Sequence, residues 1–224
     1  PDPLKHLRMK EKRTPRNAKP AELIATIATA RRILITGHVR PDGDSLGCMI
    51  ALSHLLTRAG HAAVATADRS ALGGPGFLKG VERLMPPETV ARKRFDLLIS
   101  LDCGSFDRLP EPIQPLARAV PVINIDHHRT NTRFGTWNWI EDHVSSTAEL
   151  IWRLARKAGW PLDSLAAEAL WVALITDSGR FAYDQTTPAT LRCGADLLRY
   201  GVRTAFINDK IYCSFSRITL ELKK

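Results

Sequence analysis

Cysteine is scarce and scattered. Cys48, Cys103, Cys193 and Cys213 are the four in 224 residues, and none has CxxC spacing. That argues against a zinc knuckle or a disulfide framework and for the reducing cytoplasm. No apolar run approaches the roughly 20 residues needed to span a bilayer, so no membrane partner is expected. The first stretch, PDPLKHLRMKEKRTPRNAKP, is basic but lacks an apolar h-region, which excludes a secretory signal. It opens on Pro1 rather than Met, as a processed or incomplete chain would. Internal repeats and low-complexity blocks are also missing.

What is present suffices for one ample domain or two small ones, with 44% hydrophobic and 25% charged residues. The net charge of +9 is uneven: residues 1–20 hold seven Lys and Arg against Asp2 and Glu11. This arm reads either as a solvated, partly disordered tail or as an electrostatic aid for a polyanionic substrate. Charge alone does not choose between them.

Beyond the arm, AELIATIATARR has helical spacing, with Leu23, Ile24 and Ile27 on one face. RILITGHV, HAAVATA, FDLLISLD and AVPVINID read as strands. DSLGCMIALSHLLTRAG reads as a helix with Asp44 or Ser45 near its N-cap and Gly60 at its stop. After residue 145 four helical stretches follow, roughly SSTAELIWRLARKAG, SLAAEALWVALIT, TPATLRCGADLLRYG and RTAFINDKIY. Trp152 and Trp171 within them read as core. Continuous apolar strands alternating with amphipathic helices imply an α/β fold: a mostly parallel sheet flanked by helices, with a helical C-terminal part.

Three predicted strands end in metal-type ligands: GHVRPDGDSLG with His38, Asp42 and Asp44, LDCGS with Asp102, and NIDHHRTN with Asp126, His127 and His128. A fourth piece, LWVALITDSGRF, carries Asp177 into a glycine-containing turn. Taken singly, a strand-terminal Asp is most often a cap or turn former, and His54, His61 and His143 read as surface or ordinary core. Ligands of open α/β sheets gather outside the carboxyl ends of the strands, so these pieces converge on one crevice. Imidazole with several carboxylates and no thiolate suits Mn²⁺ first, with Mg²⁺, Co²⁺ or Zn²⁺ as alternatives. Six candidate ligands exceed one open site and fit two ions sharing a carboxylate, an arrangement that serves phosphorus–oxygen bond hydrolysis.

The adjacent histidines add a constraint. Neighbours in an extended strand face opposite ways, so His127 and His128 share one crevice only if the strand ends near Asp126. We therefore expect His127 to be a ligand and His128 to reach the substrate phosphate instead.

These four ordered motifs resemble the DHH phosphoesterase superfamily over roughly residues 21–205, with SSTAELIW also similar to a stretch that follows the triplet. Within it the sequence looks most like the bacterial nanoRNase/oligoribonuclease group, which also acts on 3′-phosphoadenosine 5′-phosphate. The resemblance implies that His38, Asp42 and Asp102 hold one Mn²⁺. Asp44, Asp102, His127 and Asp177 would hold the other, with Asp102 bridging. His128 would face the substrate phosphate, with Arg129 as a further substrate contact, and Asp126 would orient its neighbours. Expected partners are short RNA oligonucleotides or phosphonucleotides, and a homodimer is allowed. Alternatives are a cyclic or linear dinucleotide phosphodiesterase, a pyrophosphatase, and a non-catalytic nucleotide or nucleic-acid binding module. Such enzymes carry a C-terminal domain with a GGGH-like motif, for which this sequence has no match. Residues 206–224 are therefore expected to be a linker following the basic arm (1–20) and the catalytic domain (21–205).

Overall fold

A computed structural model describes residues 17–72 and 74–213. Most of the basic arm, residues 1–16, lies outside them, as do residues 214–224 of the expected linker.

The elements run α1 (Pro20–Thr29), β1 (Arg32–Thr36), α2 (Gly43–Arg58), β2 (Ala62–Thr66), α3 (Pro87–Val90), β3 (Leu97–Leu101), α4 (Gln114–Ala119), β4 (Val122–Asp126), β5 (Trp137–Ile140), α5 (Thr147–Ala158), α6 (Ser164–Asp177), α7 (Pro188–Leu198) and α8 (Thr204–Asn208), with short 3₁₀ turns between β2 and α4. A π-helical turn, Asp209–Cys213, follows α8, where one continuous helix was expected. No helix among the described residues is long and apolar enough to cross a membrane.

The five strands are all parallel, in the order β2-β1-β3-β4-β5. Burial on both faces explains their continuous apolar runs. Ile33, Ile35, Ile99, Ile123 and Ile125 join the larger core with α2, α5 and α6, while Leu34, Leu98 and Val122 alternate onto a smaller core that includes Val90 and Ala117 of α3 and α4. The fifth strand was not foreseen. WNWI is only four residues long, and Asn138 at its centre breaks the apolar run; that side chain instead bonds Gly135 in the preceding loop.

One helix pair places the site. α2 and α6 run antiparallel in close contact, and two glycines make the approach feasible. A Cβ on Gly47 would lie 2.3 Å from the Ala169 carbonyl oxygen, and one on Gly43 2.4 Å from Thr176 Oγ1. The start of α2 is thereby held against the end of α6, and both face the carboxyl ends of the central strands. The N-cap of α2 is Asp42, whose Oδ1 accepts from Ser45 N–H at 3.0 Å. This corrects the expected cap at Asp44 or Ser45: Asp44 lies in the first turn, where its side chain turns into the core.

Candidate metal centre

The three central strands deliver their ligands side by side. His38 follows β1 by two residues, Asp102 follows β3 directly, and Asp126 is the last residue of β4. Because β4 stops there, His127 and His128 leave the strand geometry, and their ring centroids come within 4.7 Å. Asp102 occupies the left-handed region at φ 52°, an unfavourable conformation for a residue with a side chain.

Asp102 presents one oxygen to each side. Its Oδ2 lies 3.7 Å from His38 Nε2, and its Oδ1 lies 3.7 Å from His127 Nε2. On the first side Asp42 Oδ2 is also 3.7 Å from His38 Nε2. On the second, His127 Nε2 is 2.9 Å from Asp177 Oδ2 and 3.9 Å from Asp44 Oδ2. Two donor groups result, His38–Asp42–Asp102 and Asp44–His127–Asp177, each with its donor atoms within 4.8 Å of one another. A third grouping joins Asp102 and His127 to Asp126 and His128, but the last two are already hydrogen-bonded to each other.

The donor chemistry fits divalent ions. An ion held about 2.1 Å from oxygen or nitrogen spaces neighbouring donors by about 3 Å and opposite ones by about 4 Å. The observed spacings fall in that interval. His38 donates its Nδ1–H to the Val39 carbonyl at 2.8 Å, which leaves the Nε2 lone pair facing the carboxylates. Asp44 and Asp102 are fully buried, yet their ion-pair partners among the described residues are histidines alone. Buried carboxylates without a fixed cation are costly. Asp177 ends α6, where the helix dipole is negative and the last turn carries no basic residue. A bound cation would resolve each of these conflicts.

The proton affinities tell the same story. Burial first, then the charges of Asp102 and Asp177, raise the Asp44 carboxyl well above its usual range. Burial and the charge of Asp42 push Asp102 up to about 7 against the pull of His127. Burial works against charged imidazoles at His38 and His127, but their carboxylate neighbours outweigh it and raise both. His128 is raised to about 9, first by its hydrogen bond to Asp126.

Around these donors lies a layer that positions them. Asp44 accepts from Thr147 N–H at 2.7 Å and Ala148 N–H at 3.2 Å, the opening amides of α5. Cys48 donates its S–H to the same carboxylate. Asp126 accepts at Oδ1 from His128 Nδ1–H (2.7 Å) and the His127 amide (2.8 Å), and at Oδ2 from Asn131 Nδ2 (2.5 Å). Burial would raise its carboxyl, but the bond to His128 leads the effects that lower it. Thr147 and Asn131 were not singled out from the sequence. The signal was available for the first, since S-x-x-E at Ser146–Glu149 marks a helix start.

Arg129, next to His128, is 86% exposed, with Nε 3.4 Å from Asp142 Oδ2. His54 pairs with Asp163, and His143 is exposed beside Glu141; both lie outside the site. Trp171 is buried, while Trp152 is half-buried and donates Nε1–H to Asp196.

Fold and site together define a class: a parallel α/β domain whose strand ends gather a cluster of aspartates and histidines that could hold cations. The chain belongs to the DHH family, whose N-terminal domain matches residues 32–174. It is 32% identical over 210 residues to the bifunctional oligoribonuclease and PAP phosphatase NrnA of Thermus thermophilus, covering 88% of this chain and 59% of that protein. The chain thus spans about 60% of the length of the curated relatives it matches. Its fold superposes with TM-score 0.80 on an exopolyphosphatase-related protein from Bacteroides fragilis, at 23% identity over 91% of this chain and 62% of the other. A crystal structure of the exonuclease RecJ bound to manganese aligns at TM-score 0.50 and 19% identity, covering 81% and 48%.

Proposed function

We propose that the chain is the metal-bearing domain of a phosphoesterase that hydrolyses short RNA oligonucleotides and 3′-phosphoadenosine 5′-phosphate at a pair of Mn²⁺ ions. The observation that carries this reading is the Asp102 carboxylate, which turns one oxygen toward His38 and the other toward His127 at equal distance. A carboxylate so placed is suited to bridge two ions. The activity for which the Thermus relative is named supports the substrate class, and the manganese in RecJ supports the metal.

In this reading His38, Asp42 and Asp102 hold one ion, and Asp44, Asp102, His127 and Asp177 hold the other. When bound, such ions polarise a phosphoryl oxygen and make water nucleophilic near neutral pH. The chain supplies the rest. Asp126 fixes the ring of His128 through Nδ1, and with its pKa near 9 that imidazole carries a proton at neutral pH. Its 39% exposure leaves it open to the substrate phosphate, where it donates a hydrogen bond to a non-bridging oxygen or a proton to the leaving oxygen. The α5 amides hold Asp44 in place, and Asn131 holds Asp126.

A substrate panel and metal analysis test the reading together. Protein purified with Mn²⁺ should contain up to two ions per chain and act on RNA of two to five residues or on 3′-phosphoadenosine 5′-phosphate. Preference for pyrophosphate or cyclic dinucleotides would replace the substrate assignment, and full turnover by Asp102→Ala would end the two-ion one.

A further inference from the structure

Immediately past Asp177 the backbone does something unusual. Gly179, Arg180 and Phe181 have φ of 57°, 61° and 66°, three successive residues in the left-handed region, two of them bearing side chains. Such a turn persists only where the surroundings hold it. Here Arg180 N–H bonds the Ile175 carbonyl at 2.8 Å, Phe181 N–H bonds Ser178 Oγ at 3.1 Å, and Tyr183 N–H bonds the Ser178 carbonyl at 3.1 Å. Phe181 turns inward, edge-on to Trp171 at 5.8 Å between centroids. The guanidinium of Arg180 is committed to the face of Tyr212, 4.5 Å away.

The turn presents Tyr183 at the surface beside an exposed Arg180 whose guanidinium rests on Tyr212. The Tyr183 side of the turn lies two to six residues beyond Asp177, which is itself open enough to face the mouth of the centre. Tyr183 is 56% exposed although one ring face rests on Gly179, where a built Cβ would fall 2.5–2.7 Å from three ring carbons. With that face covered, the exposure belongs to the other face and the rim. An exposed aromatic face, seated on Gly179 and six residues past the ligand-type Asp177, matches the platforms on which nucleobases stack, which tolerate any base because every base has a π-face.

We propose that Tyr183 is a stacking platform for the nucleobase of the nucleotide whose phosphate lies at the donor cluster. This rests on the nucleotide phosphoesterase reading above. It makes Tyr183 a specificity residue that separates base-bearing esters from base-free phosphates while remaining indifferent to base identity. Its ring sits over Gly179, so a residue larger than glycine there would displace the platform.

Binding of a dinucleotide carrying 2-aminopurine, followed by quenching of its fluorescence, tests this without requiring turnover. The full chain should quench the probe. Tyr183→Ala should weaken binding by about 5- to 150-fold, the range of one stacked base, while Tyr183→Phe and Tyr183→Trp stay near wild type. An abasic dinucleotide with the same phosphate should bind Tyr183→Ala and wild type alike. No quenching by the wild type, equal binding by Tyr183→Ala, or an equal loss for the abasic probe would each overturn the platform. Failure of the parent reading looks different: quenching depends on Tyr183, but no nucleotide is hydrolysed with any divalent metal.

Discussion

His128 and His127 stand next to each other yet make different bonds. His127 Nε2 faces three carboxylates, whereas His128 spends Nδ1 on Asp126 and keeps its other edge exposed. The difference gives a separable pair of outcomes. His127→Ala should lose one Mn²⁺ per chain, read by metal analysis after dialysis. His128→Ala should retain metal while turnover falls on the order of 10²–10⁴-fold, the range for a general acid. Equal metal loss from both substitutions would refute the division. Asp126→Asn tests the support behind it. The amide is a weaker acceptor than the carboxylate, so the His128 pKa should drop toward the ordinary histidine value, and NMR titration of the ring should show it.

At the scale of elements, the site depends on how tightly α2 meets α6. Gly47→Ala places a methyl against the Ala169 carbonyl, backbone that cannot rotate away. We expect a loss of about 1–3 kcal/mol in denaturant unfolding, with weaker metal binding because Asp44 and Asp177 ride on the separated helices. Unchanged stability would mean the helices are less closely fitted than described. Glu149 is a second element-level joint. Its Oε1 accepts from the Ser145 amide, Ser145 Oγ and Thr190 Oγ1, tying the start of α5 to α7. Glu149→Ala should destabilise by about 2–4 kcal/mol, since it leaves the buried Ser145 amide and hydroxyl unpaired and Thr190 with only Thr187 to bond, and a thermal melt reads it. These joints mark the limit of what the sequence discloses. Ligand type and strand position were legible, because apolar runs ending in His or Asp follow from local rules. The cap at Asp42, the α5 amides on Asp44 and the strand around Asn138 were not. The cap turns on which of several adjacent polar residues takes the extended backbone before the helix, the Asp44 bonds reach a partner about 100 residues away, and the bonds of Asn138 exist only in the folded loop.

For the molecule as a whole, the donor cluster sets how stability responds to pH once metal is removed. Asp102 moves from about 3.8 unfolded to about 7 folded, and Asp44 moves the same way. Between those values the folded chain holds protons that the unfolded chain releases, so stability falls as pH rises. His128, ordinarily near 6.5 and here about 9, adds stability that is complete below 6.5 and lost as pH rises through 9; His38 and His127 act in the same direction. Asp42 and Asp126 are lowered and so act oppositely, but only below about pH 4, where they lose their stabilising charge. The metal-stripped chain should therefore be most stable in mild acid and weaken steadily from about pH 5 to 9. Bound divalent ions reverse the trend, because they need the same carboxylates and imidazoles deprotonated and bind more tightly as pH rises. Melting temperatures in EDTA and in excess Mn²⁺, measured at pH 5.5 and 8.5, should thus lie close together at the lower pH and far apart at the higher. Parallel curves, with the same gap at both pH values, would mean that these residues do not hold the ions.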